Sequence, residues 1–255
     1  MPSPHEQQRI CILGDSQLGS VRHALTQGLT TPPDGAEVEF WGAGGPSFRL
    51  IDWRKGAIRA TGKALETALS INGQGRDHIA PGDFDCVIFY GARLRTAEFF
   101  GPYAHWAAEH GHLPSAAVLQ AAARDFMIRA RPYRLAGLLA AKGCAAVFVP
   151  SPFYTKGVTD MAARGRFFDH YPGADRLSAQ HRSALWAAMQ AVAAADGVTL
   201  VPQPDETVTD GVLTREEFAV EGAVESGDNG HKSPAFAARW MADVWPLTQQ
   251  QAHAA

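Results

Sequence analysis

Five short apolar runs, separated by stretches with helical spacing, constrain this chain more than any other feature. They are Arg9–Leu13, Val38–Trp41, Asp85–Tyr90, Ala145–Val149 and Val198–Val201. None shows a sustained polar–apolar alternation, so each reads as a strand buried on both faces. Leu18–Leu29, Trp53–Ser70, Ser115–Lys142, Ser178–Ala195 and Pro234–Trp245 carry the helical pattern, with a break expected near Pro132. Strands alternating with helices predict an α/β fold, a parallel sheet with helices on both faces. Such a sheet binds its ligands beyond the carboxyl ends of the strands.

The 255 residues suit one α/β domain, and no repeat or linker marks a second. Thr96–Leu113 and Phe153–Arg176 read as insertions near the site, around 94–114 and 152–176. A net charge of −3 without clustered Lys or Arg argues against a nucleic-acid partner. No apolar run approaches the roughly 20 residues that span a bilayer. The polar start, Met1–Gln8, lacks the basic and long apolar regions of a secretory signal, so a soluble, cytoplasmic protein is expected. Cys11, Cys86 and Cys144 each lie in or beside a strand and lack metal-ligand spacing. They are expected to be reduced core thiols, with no metal and no cofactor.

The chemistry concentrates at strand ends. Gly14-Asp15-Ser16 follows the first strand, where a small residue lets the chain turn sharply and expose a hydroxyl. A following helix would aim backbone N–H groups at developing negative charge. The plainer reading is helix capping by Asp15 or Ser16. Asp228-Asn-Gly-His231 precedes the last helix. A serine hydroxyl needs an adjacent base, and the base needs an orienting acceptor, which this short loop can supply by folding back. Here too a capping Asp and a surface His are the alternative. The Gly42–Pro46 loop after the second strand can bring a backbone N–H to a substrate, and Gly91-Ala-Arg93 follows the third strand. All of these can face one cleft.

Together these motifs resemble the SGNH, or GDSL-type, hydrolase superfamily. Gly14-Asp15-Ser16 resembles its nucleophile motif, with Gln17 where leucine often follows. Asp228-xx-His231 resembles its Asp-His motif. The resemblance implies a flavodoxin-like three-layer sandwich around a five-stranded parallel sheet, and a catalytic triad of Ser16, His231 and Asp228. It also implies an oxyanion hole from the N–H of Ser16 and the N–H of Gly45, with Gly44 as the nearest rival. One block departs: Arg93 stands where the family usually carries an oxyanion-binding asparagine. A guanidinium still donates hydrogen bonds. It fits equally an anionic substrate group, or a member with altered or no chemistry.

The expected reaction is hydrolysis of a small acyl ester, acetyl above all, on a carbohydrate or small metabolite. An acyltransferase with the same triad, and a binding module without catalysis, stand as alternatives. A nucleotide-binding protein is disfavoured, because the Gly14–Ser20 loop lacks a phosphate-loop lysine and dinucleotide glycine spacing. Asp15, Gly44 and Tyr154 are further candidates for substrate contact. Phe99, Phe100, Tyr103 and Trp106, like Phe153, Tyr154, Phe167, Phe168 and Tyr171, line a pocket or pack an insertion onto the domain. His110-Gly-His112 lacks a convincing third metal ligand. Arg164 and Arg166 read as solvated.

Overall fold

The computed structural model describes residues 7–156 and 167–252. Arg164, Arg166 and the middle of the second expected insertion lie outside the described residues. The five expected strands form one parallel sheet: β1 (Arg9–Gly14), β2 (Glu37–Gly42), β3 (Cys86–Arg95), β4 (Ala145–Ser151) and β5 (Val198–Leu200). Their order is β2-β1-β3-β4-β5, with every neighbouring pair parallel. That is the flavodoxin-like order, and its direction switches between β1 and β3, where a crevice opens.

β1, β3 and β4 each feed two cores, which explains their continuous apolar sequences. On β1, Ile10 and Ile12 face one side while Cys11 and Leu13 face the other. On β3, Ile88 and Tyr90 oppose Val87 and Phe89 in the same way. One face is covered by α1 (Leu18–Thr26) and α7 (Pro234–Ala252), through Val21, Phe236, Trp240 and Val244. The other is covered by α2 (Lys63–Asn72), α3 (Thr96–His110), α4 (Ala116–Arg129), α5 (Arg131–Ala140) and α6 (Ala179–Ala195). Each fully buried Ile, Leu or Phe contributes about 1.5–3 kcal/mol, so this two-sided burial dominates the fold. The break near Pro132 separates α4 from α5.

The helix expected over Trp53–Ser70 is corrected. Ile51–Arg54 and Ala57–Ala60 form an antiparallel hairpin, and the helix begins only at Lys63. Lys55 and Gly56 turn it with φ of 51° and 75°, the left-handed pair of a tight hairpin turn. Trp53 pairs with Ile58 across it, so apolar residues that fit helical spacing meet between strands instead. Thr96–Leu113, hard to read in sequence, holds α3. Its Phe99 and Phe100 are buried, against Phe126 and against Phe153 and Trp186 respectively. These two rings, with Phe153, therefore pack the core. No helix among the described residues is long and apolar enough to cross a membrane.

Candidate active site

The Gly14–Ser16 turn begins where β1 meets β2 and β3. Gly14 pairs with Gly42 of β2 and with Tyr90 of β3. A Cβ at Gly14 would lie 2.3 Å from the Tyr90 carbonyl oxygen, so a larger residue would force the strands apart. The chain then turns through Asp15 and Ser16, and Leu18 N–H donates to the Asp15 carbonyl as α1 starts. Ser16 is exposed. The N-cap position of α1 is Gln17, which makes no side-chain capping bond.

The Asp228–His231 loop arrives from the far end of the chain. It meets the serine because α1 and α7 are neighbours on one face of the sheet, and each starts just after its loop. Asp228 folds the loop back on itself. Its Oδ1 accepts from Gly230 N–H (3.1 Å) and His231 N–H (3.0 Å), while its Oδ2 lies 2.6 Å from His231 Nδ1. His231 Nε2 lies 2.7 Å from Ser16 Oγ. Partial burial pushes the Asp228 carboxyl up, but the hydrogen bonds from His231 and Gly230 outweigh it and hold the group below the usual carboxylate range. An anionic Asp228 fixes the imidazole with Nδ1–H toward the carboxylate, leaving Nε2 to accept from the serine.

Arg93 occupies the strand irregularity after Tyr90 with φ of 47°, a left-handed conformation uncommon outside glycine. Its Nε donates to Asp15 Oδ2 at 3.1 Å and one terminal nitrogen donates to the Gly45 carbonyl. The guanidinium thus ties the Gly14–Ser16 turn to the loop after β2. Burial pushes the Asp15 carboxyl up, against hydrogen bonds from Gln17 and Arg93. Gly45 has φ of 56° and opens a short turn of 3₁₀ helix, Gly45–Leu50. Gly44 lies against the serine, where an added Cβ would stand 3.8 Å from Ser16 Cβ.

The cleft has a volume of about 290 Å³. Of the residues expected at the site, Asp15, Ser16, Arg93, Tyr154 and His231 line it, and Gly44, Gly45 and Asp228 do not. Gln17, Arg95, Ser151 and Asn229 also line it, none of them expected from the sequence to contact a substrate. Ser151 ends β4 and Arg95 ends β3, so the strand-end rule reaches both; Asn229 carried no comparable signal. Neither did Lys232, which is buried behind the loop with its Nζ donating to the carbonyls of Asn229 and Gly230. The histidines of α3 stand apart from the cleft lining: His105 pairs with Glu109 and His110 stacks on Trp106. Among the described residues no group of three His, Cys, Asp or Glu side chains is placed to hold a metal ion.

No protein-family model matches the chain, and no curated protein matches it. Among solved structures, it is similar to an extracellular lipase from Streptomyces rimosus. The identity is 16% and the TM-score 0.39, over 96% of this chain and 99% of that one. It is also similar to a DUF4886 family protein from Bacteroides uniformis. There the identity is 13% and the TM-score 0.38, over 95% of this chain and 96% of that one.

Proposed function

We propose that this chain is a serine hydrolase of the SGNH type that cleaves a small acyl ester through an acyl-enzyme on Ser16. The observation that carries the reading is one continuous relay of short contacts, from Asp228 Oδ2 through His231 to Ser16 Oγ, at 2.6 and 2.7 Å. Those are working distances for general-base activation of a hydroxyl. His231 Nε2 takes the serine proton as Oγ attacks the ester carbonyl. Asp228 stabilises the imidazolium. The imidazolium then returns the proton to the departing alkoxide, and water, activated by the same base, releases the acyl group.

The oxyanion is assigned to the N–H of Ser16 and an N–H of Gly44 or Gly45. Arg93 serves it by fixing the Gly45 loop and by adding positive charge to the cleft wall. One oxyanion donor is worth roughly 3–4 kcal/mol in enzymes of this kind. The exposed serine and the modest cleft favour a short acyl group, such as acetyl, on a sugar or small metabolite.

Activity on short p-nitrophenyl esters, together with labelling by a fluorophosphonate, tests the reading. Ser16→Ala is expected to abolish both. Full turnover by the Ser16→Ala protein, or a folded wild type that no fluorophosphonate labels, would rule the proposal out. The second of those results would favour a binding module.

A further inference from the structure

The relay depends on a short glycine-containing loop that must hold an imidazole against a serine 215 residues away. Its carbonyls are gripped from two sides. The Gly230 carbonyl, one residue before His231, accepts from Gln17 Nε2 at 2.9 Å and from Lys232 Nζ at 2.8 Å. The Asn229 carbonyl accepts from Lys232 Nζ at 3.1 Å and from Thr155 N–H at 3.0 Å. Gln17 directly follows the nucleophile, and Lys232 directly follows the base.

We infer that Gln17 and Lys232 are positioning residues, converging on the Gly230 carbonyl to clamp the His231 loop to the nucleophile turn. This rests on the catalytic reading of Ser16, His231 and Asp228. Gln17 stands where the resemblance leads one to expect leucine, a side chain unable to make this bond. Its Cβ and Cγ sit directly over Gly91. A Cβ there would come within 2.5 Å of Gln17 Cβ, and φ at Gly91 is +61°. Gly91 thereby leaves the space that the Gln17 side chain occupies on its way to the loop.

Lys232 is 2% exposed, a costly place for an ammonium whose hydrogen-bonded partners are carbonyls. Burial pushes its pKa down to about 7, opposed by the Asp228 carboxylate. The neutral amine retains two N–H donors, so both carbonyl contacts survive loss of the proton. A lysine stem ending in apolar packing would fill the same space without that desolvation cost. What the amine adds is its grip on two successive carbonyls of the catalytic loop.

The test uses Lys232→Met, Gln17→Met and the double variant of the full chain. Two readouts are needed: steady-state kinetics on a short p-nitrophenyl ester, and the far-downfield NMR resonance of the His231 Nδ1 proton in resting protein. A misplacement of about 1 Å costs on the order of 100-fold, so each single variant is expected to lose about 10- to 100-fold in kcat. KM for Lys232→Met should stay at the wild-type value, because Lys232 does not line the cleft. The double variant should lose less than the product of the singles, since both donors share one acceptor. The Nδ1 resonance should broaden or vanish at a melting temperature close to wild type. If Lys232→Met fails to fold, Gln17→Met carries the test alone.

Wild-type kcat together with a sharp resonance in the variants would overturn the clamp, and so would the absence of that resonance from wild-type protein. A wild type that shows the resonance but hydrolyses no ester separates the two ideas. Loss of the resonance in the variants would then support the clamp while the esterase reading fails; its retention would overturn the clamp as well.

Discussion

Asp228 does two jobs with two oxygens. Oδ1 shapes the loop by accepting two backbone N–H groups, and Oδ2 orients the ring of His231. Asp228→Asn keeps an oxygen for the turn but replaces the ring acceptor with a donor, which favours the wrong imidazole tautomer. In the proposed reaction kcat should fall by roughly 10⁴-fold with little change in melting temperature, the loss this change brings in Ser-His-Asp proteases. Kinetics and thermal melts on one preparation check it, and a loss below tenfold would remove Asp228 from the relay. Lys232 yields a prediction about stability. Its pKa is about 7 when folded against an ordinary 10.5, with burial as the cause. Between pH 7 and about 10 the unfolded chain therefore binds more protons, and stability rises with pH across that window. Below about pH 7 both states are charged and the burial cost is carried in full. Urea midpoints of wild type relative to Lys232→Met should climb from pH 7 to pH 10, and a constant difference would contradict the desolvated placement.

At the level of elements, the site is made where β1 and β2 end beside Tyr90 of β3. Gly14→Ala tests this, since its Cβ would press on backbone, which cannot swing aside. Forced shifts of this kind cost about 1–3 kcal/mol. The variant is therefore expected to melt lower than wild type, and to lose fluorophosphonate labelling out of proportion to the fraction unfolded. Wild-type labelling and stability would show that the strand ends do not need this approach. The same elements explain what was legible in the sequence. All five central strands could be read from their apolar runs, because burial on both faces leaves few polar positions, Glu39 of β2 among them, to blur them. The residues at their carboxyl ends, Ser16 and Arg93 among them, could be named from the strand-end rule. The hairpin at Ile51–Ala60 was not legible, because Trp53 and Ile58 fit a helical stripe as well as a cross-strand pair; only the Lys55-Gly56 turn pointed to a hairpin. Lys232 was hidden for another reason. A lysine beside a polar loop reads as solvated, yet Lys232 is buried where its backbone bridges to Ala219, a pairing no local pattern announces.

Across the whole molecule, the relay joins residue 16 to residue 231, and nothing local brings them together. The agent is the smaller of the two cores, where α1 and α7 share one face of the sheet. Trp240 sits at its centre, 1% exposed, with edge contacts to Tyr90 of β3 and Phe236 of α7. Trp240→Ala empties that centre and should cost about 3–5 kcal/mol. Because this core docks the last helix, the loss should not spread evenly. The Asp228–His231 loop should separate from Ser16 before the central sheet opens. Hydrogen exchange on Trp240→Ala is thus expected to show faster exchange at the His231 and Gly230 amides, both held by Asp228. Amides of β1 and β3 should remain protected well beyond them. Partial unfolding of this kind is drawn from the less stable end of a structure. Uniform loss of protection across sheet and loop would instead mean that the two faces unfold as one unit, and that docking of α7 is no separate step in assembling the site.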